Sequence, residues 1–104
     1  MPDPPIACSL DPASMAARRA GLLADLLRQA RTRDDLADGM RLTFEPSSTT
    51  LDVIARTIDA ERQCCRFLRF ELAVEPDLGR FVLELTGPPG TGDFLRDLVN
   101  SARR

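Results

Sequence analysis

The sequence contains no histidine, lysine, tryptophan or tyrosine, and the first two absences each exclude a class of chemistry. Without histidine, the chain has no imidazole base for catalysis at neutral pH, no Cys-His or Ser-His pair and no imidazole metal ligand. Without lysine, it has no side-chain amine for Schiff-base catalysis, since all 14 basic side chains are arginine. The three cysteines are therefore the candidate functional residues.

Long apolar runs are also absent, and none of the existing runs is long enough to span a bilayer. Residues 1–5 show neither the basic region nor the apolar region of a secretory signal peptide. We therefore expect a cytoplasmic protein without a membrane partner. In that compartment free thiols are the more common state of cysteine, and a resting disulfide is less common.

The charged residues do not form the basic stripe that would indicate nucleic-acid binding. The net charge is -2, and acidic residues are scattered among the arginines. A chain of 104 residues corresponds to a single domain, residues 1–104, which can fold around one core without a cofactor or a disulfide. Residues 1–5, which include three prolines, are expected to form a flexible tail.

The apolar periodicity predicts an α+β domain with the element order (β)αβαββα. The predicted elements are a short strand at 6–10, a helix at 11–31, a strand at 40–45, a helix capped by Ser48 or Thr49 that runs to about Cys65, strands at 67–75 and 80–86, and a final helix capped by Thr91 or Asp93. The segment 32–39 is polar and ends in Asp38-Gly39, which is a turn signal. Helices that cover one face of a small, largely antiparallel sheet of three to four strands would form a two-layer sandwich.

Cys64 and Cys65 lie side by side where the helical period changes to a strand period. Cys65 follows Ile58 by seven residues and continues the buried face, whereas Cys64 is rotated by about 100° towards the edge of the helix. Adjacent cysteines at an exposed corner indicate thiolate chemistry, and the pattern does not distinguish metal binding from electron exchange. A disulfide between neighbours would close a small, strained ring, so free thiols are expected.

A third sulfur, that of Cys8 on the predicted first strand, reaches this corner if that strand lies beside it. Three thiolates without imidazole suit Hg(II), As(III), Pb(II) or Cu(I), whereas Zn(II) would need a fourth ligand such as Glu61 or water. The negative end of the helix disfavours thiolate by up to about 1 kcal/mol. Arg62, Arg66 and Arg69 would act in the opposite direction.

The segment Gly87-Pro88-Pro89-Gly90-Thr91-Gly92 follows a predicted strand and precedes a predicted helix, which is the context of a phosphate-binding P-loop. The next residues are Asp93 and Phe94, where a P-loop needs lysine and then serine or threonine. Aspartate would repel a phosphate. We therefore interpret the segment as a turn.

A resemblance to a known family is carried by four segments of the chain: Cys8-Ser9-Leu10, Arg18-Arg19, Glu61-Arg62-Gln63-Cys64-Cys65-x-Phe67-Leu68-x-Phe70 and Leu85-Thr86-Gly87-Pro88. Along nearly its whole length the chain resembles a group of small bacterial proteins with an E-R-x-C-C-x-F motif. These resemble accessory proteins that accompany mercury-responsive regulators of the MerR type, which implies heavy-metal handling. Many members have proline directly after the second cysteine, where this chain has Arg66.

The order of the first six predicted elements is also similar to that of sulfur-carrier proteins of the TusA type. That similarity concerns topology alone, because Cys8 does not begin the Cys-Pro-x-Pro motif that sulfur transfer would use.

The leading interpretation is a binding protein, not an enzyme, which holds a soft metal or metalloid through Cys8, Cys64 and Cys65 in metal resistance or sensing. One alternative is a thiol redox or sulfur-transfer protein in which one corner cysteine is the nucleophile and another resolves it. A third is a protein interaction module that pairs through an exposed sheet edge, with its cysteines merely packed. A homodimer or a protein partner is compatible with these interpretations.

Overall fold

The computed structural model describes residues 21–101, apart from the side chains of Cys64 and Ser101. Its elements in chain order are α1 (Leu22–Gln29), β1 (Thr32–Leu36), β2 (Gly39–Phe44), α2 (Ser48–Cys64), β3 (Arg69–Val74), β4 (Phe81–Thr86) and α3 (Thr91–Ser101). The strands form one antiparallel sheet in the order β1-β2-β4-β3. The predicted α+β class is confirmed. The predicted strand at 6–10 and the first part of the predicted first helix lie outside the described residues.

The core lies between one face of the sheet and the three described helices. Alternate residues of the two central strands are buried: Met40, Leu42, Phe44, Phe81, Leu83 and Leu85. The register places Leu42 directly opposite Leu83. The same cluster takes in leucines of α1 and α3 and Ile54 of α2, so the helices cover this face of the sheet. No described helix has the length and apolar character needed to span a membrane.

No strand is predicted in the polar segment 32–39, but residues 32–36 form β1, so the prediction missed this strand. The turn signal at Asp38-Gly39 is confirmed, because residues 37–38 form the turn into β2. β1 pairs with β2, with Thr32 opposite Thr43 and Leu36 opposite Gly39. Every β1 side chain except that of Leu36 is exposed, so no apolar alternation marks the strand in the sequence. Backbone hydrogen bonds to β2 hold β1 in the sheet. Such bonds involve no side chains, so they produce no recognisable pattern in the sequence.

The helix that ends at the cysteines begins one residue earlier than predicted. Ser47 is its N-cap, and Oγ of Ser47 accepts a hydrogen bond of 3.0 Å from the N–H of Thr50. The helical period places Leu22 of α1 and Ala55 of α2 on the apolar faces of their helices, but both residues are exposed. The buried face of α2 instead includes two polar side chains, which are those of Thr57 and Glu61.

β3 was predicted from its period of two, and its bounds confirm the strand. Its apolar side chains are less buried than the alternation suggests, because Leu72 is 37% exposed and Val74 is 57% exposed. The β4 residues opposite them, Leu83 and Phe81, are buried. The helical layer thus covers β4 and leaves the neighbouring edge strand partly open.

Candidate functional site

The cysteine pair lies at the predicted helix-to-strand corner. α2 ends at Cys64, Cys65 is its C-cap, and β3 begins at Arg69. The N–H of Cys65 still donates to the carbonyl of Glu61 at 2.6 Å, and the N–H of Leu68 donates to the carbonyl of Cys65 at 3.1 Å. These two hydrogen bonds end the helix and turn the chain into the strand.

The side chain of Cys65 lies in the core and is 2% exposed. This confirms the prediction that Cys65 continues the buried face of the helix. Phe67 and Leu68, which follow in the turn, are also buried. The backbone turns at this corner, but the sulfur of Cys65 and the next two apolar side chains point inwards. The expectation that the corner exposes its cysteine side chains is therefore wrong for Cys65.

Cys65 is disulfide-bonded, whereas free thiols were expected. The expectation followed from an assumed reducing compartment, which the composition does not determine, and from the strained ring that a disulfide between neighbouring cysteines would close. The other cysteines of the chain are Cys8 and Cys64, and the side chain of neither belongs to the described part. Among the side chains that the structure does describe, no group of three or more cysteines and carboxylates could hold a metal ion.

Glu61 is the polar side chain that accompanies Cys65 in the core. It is 2% exposed, and its Oε2 lies 3.5 Å from Sγ of Cys65. Residues four positions apart share one face of a helix, so helix geometry brings the two together. A disulfide sulfur carries no proton, so an S–H donor to this carboxylate exists only in the reduced protein. The spacing of Glu61 and Cys65 is the sequence signal that could have predicted this contact.

The arginines expected to favour thiolate all lie at the surface. Arg62 pairs with Asp59 at 2.9 Å, and Arg69 pairs with Glu71 at 3.2 Å. Exposed ion pairs of this kind contribute about 0–1 kcal/mol. Arg66 is exposed beside Cys65 in the chain, and among the described residues it has no ion pair.

The glycine-rich segment packs against the corner, a role that the sequence did not indicate. A Cβ on Gly87 would lie 2.8 Å from the carbonyl oxygen of Phe67, so a side chain there would collide with the backbone of the corner. The Oγ1 of Thr91 donates to the carbonyl of Pro88 at 2.7 Å. The rings of Phe67 and Phe94 meet edge to face, with centroids 5.1 Å apart. These contacts support the interpretation of the segment as a turn.

Comparison with protein-family models, with curated proteins and with solved structures finds no match to this chain. A functional assignment therefore rests on the chemistry of the corner itself.

Proposed function

We propose that this protein binds a soft metal or metalloid ion in the cytoplasm, in metal resistance or sensing, with Cys64, Cys65 and Cys8 as thiolate ligands. The observation that carries the proposal is the disulfide of Cys65. A disulfide requires that a second cysteine sulfur lies within bonding distance of the buried one. Reduction of that bond would leave two adjacent thiols, which can chelate one soft ion.

The ligand chemistry favours Hg(II), As(III), Pb(II) or Cu(I) over harder ions. Thiolates are soft ligands, and the chain has no imidazole with which to complete a mixed site. Thiols lose their protons when they bind such ions. The carboxylate of Glu61, at 3.5 Å from Sγ of Cys65, is suitably placed to accept the proton of this thiol.

The same disulfide also favours a second candidate, a thiol redox protein. Two external thiols would reduce the bond to two protein thiols and would leave as one external disulfide, so electrons and protons balance. Cys65 is buried, which suits the resolving cysteine better than the attacking one. This candidate predicts repeated turnover with a small disulfide substrate, which the metal-binding candidate does not.

The experiment that tests the proposal is native mass spectrometry of the fully reduced chain with equimolar Hg(II), As(III), Cu(I) or Zn(II), without oxygen. The expected result is a tight 1:1 complex with a soft ion and the loss of one proton for each ligating thiol. Single Cys8→Ser, Cys64→Ser and Cys65→Ser variants identify the ligands, and the oxidised wild-type chain is the matched control. The proposal fails if the reduced wild type binds these ions no more tightly than a Cys64→Ser, Cys65→Ser double variant.

A further inference from the structure

The edge strand β3 continues the apolar face of the core out to the surface. Leu72 and Val74 lie opposite the buried residues Leu83 and Phe81, yet they are 37% and 57% exposed. Leu78, in the turn that follows the strand, is 93% exposed. Apolar side chains that continue a core face into solvent are typical of an interaction surface.

A groove of about 460 Å³ extends this apolar surface. Leu51 lines it from α2, Val74 and Phe81 line it from the hairpin strands, and Leu78 lines it from the turn. The groove has room for an apolar side chain of a partner.

The turn between β3 and β4 holds Leu78 away from its own core. Asp77 and Leu78 have φ angles of 60° and 56°, so both lie in the left-handed region. Two central residues with positive φ suit the twist of a tight hairpin, but leucine adopts this conformation at a cost. An exposed leucine in a strained conformation contributes little to the stability of its own chain, which indicates that its side chain contacts another molecule.

The outer edge of β3 has no partner strand among the described residues. The N–H of Glu75 donates to the carbonyl of Arg80 at 3.1 Å, so the backbone groups of Glu75 point towards β4. Backbone groups of successive strand residues point to opposite edges. Those of Phe70, Leu72 and Val74 therefore point to the outer edge, where another strand can bind them.

The charges along β3 are complementary to those of a second, antiparallel copy of the same strand. When the pairing is centred on Leu72, Leu72 lies opposite its own copy and Arg69 lies opposite Glu75, twice by symmetry. If the pairing were centred on Glu71, Glu71 would lie opposite its own copy. If it were centred on Ala73, Glu71 would lie opposite Glu75. Like charges directly opposite one another are destabilising, so both of these registers are disfavoured. Centring on Leu72 also keeps the whole of β3 within the pairing.

We propose that the outer edge of β3 and the adjoining groove form the interface of a homodimer, in which β3 pairs antiparallel with β3 of a second copy. The eight described strands of the two copies would then form one continuous sheet. Phe70 of one copy would lie opposite Val74 of the other, at the groove. The turn that carries Asp77 would lie near Arg66 of the other copy, beside the cysteine corner, so each copy would cover part of its partner's candidate site.

The test is the oligomeric state of the reduced full-length chain, measured by analytical ultracentrifugation over a range of concentrations. The expected result for the wild type is a concentration-dependent dimer. Arg69→Glu alone and Glu75→Arg alone should each raise the dimer Kd by roughly tenfold or more, because each places like charges opposite one another twice. An equimolar mixture of the two variants should restore dimerisation as a heterodimer, because both pairs are then complementary.

Arg56→Glu, a charge reversal on the exposed face of α2, is the matched control and should leave the dimer Kd unchanged. Thermal unfolding of every variant confirms that it is folded. The proposal is overturned if the wild type remains monomeric, or if the equimolar mixture does not restore the dimerisation that each single variant loses. It is also overturned if the chain dimerises only after residues 1–20 are removed, because those residues would then be the occupant of the edge.

Discussion

Cys65 and Glu61 place a sulfur and a carboxylate within the core, with Sγ and Oε2 3.5 Å apart on the last turn of α2. Burial of a carboxyl group is costly unless it is paired. Cys65 is disulfide-bonded, and the chain has three cysteines in all.

We therefore expect one reactive thiol per chain when the unreduced protein is unfolded, and three after reduction. The measurement is a thiol titration in denaturant under both conditions, and peptide mapping then identifies the partner of Cys65. A bond to Cys8 would close a long loop and stabilise the fold by about 4 kcal/mol, whereas a bond to the adjacent Cys64 would close almost no loop. Three reactive thiols in the unreduced chain would contradict the disulfide.

Gly39 shows how one residue limits the packing of the sheet. A Cβ at this position would lie 2.0 Å from the carbonyl oxygen of Leu85 on the paired strand, and a backbone atom cannot move aside easily. We expect Gly39→Ala to lower the free energy of unfolding by about 1–3 kcal/mol, the usual cost of overpacking. Gly92→Ala is the control, because its Cβ would meet the flexible side chain of Arg96 at 3.3 Å. Urea denaturation that shows equal effects for the two variants would contradict this explanation.

At the scale of single elements, α2 matters most because its last turn carries the cysteine pair. Its first turn depends on Ser47, whose Oγ accepts from the N–H of Thr50 at 3.0 Å. We expect Ser47→Ala to destabilise the protein by about 1 kcal/mol, since one N–H at the helix start loses its acceptor. Ser48→Ala, one residue later in the exposed first turn, should cost little. Thermal unfolding of the two variants checks this expectation, which is wrong if Ser48→Ala costs as much.

At the scale of the whole molecule, binding of a soft ion to the folded, reduced chain should raise its thermal stability. An ion present at 100 times its Kd would raise the free energy of unfolding by about 2.7 kcal/mol. Binding of the ion to the thiols of the unfolded chain would reduce this gain. Calorimetry of the reduced wild type with and without Hg(II) or As(III) measures the gain. We expect no comparable gain for Cys65→Ser, and an equal gain in that variant would exclude Cys65 as a ligand.

The sequence predicted those parts of the molecule whose pattern lies within one element. The period of two gave β2, β3 and β4, and the helical period placed Cys65 on the buried face of α2. The change between the two periods located the corner. Such patterns can be read directly because side chains alternate along a strand and recur along a helix in chain order. The choice of the cysteines as candidate ligands also came from composition, since the chain lacks histidine.

Only the tertiary structure decided features that depend on residues distant in the chain. β1 is a strand because β2 pairs with its backbone, and none of its exposed side chains indicates this. Leu72 and Val74 look like core residues in the sequence, but β3 lies at an edge of the described sheet, beyond the cover of the described helices. Glu61 looks like a surface residue, but the face that it shares with Cys65 is packed against the core. Burial depends on what the rest of the chain places against a residue, and local periodicity does not contain that information.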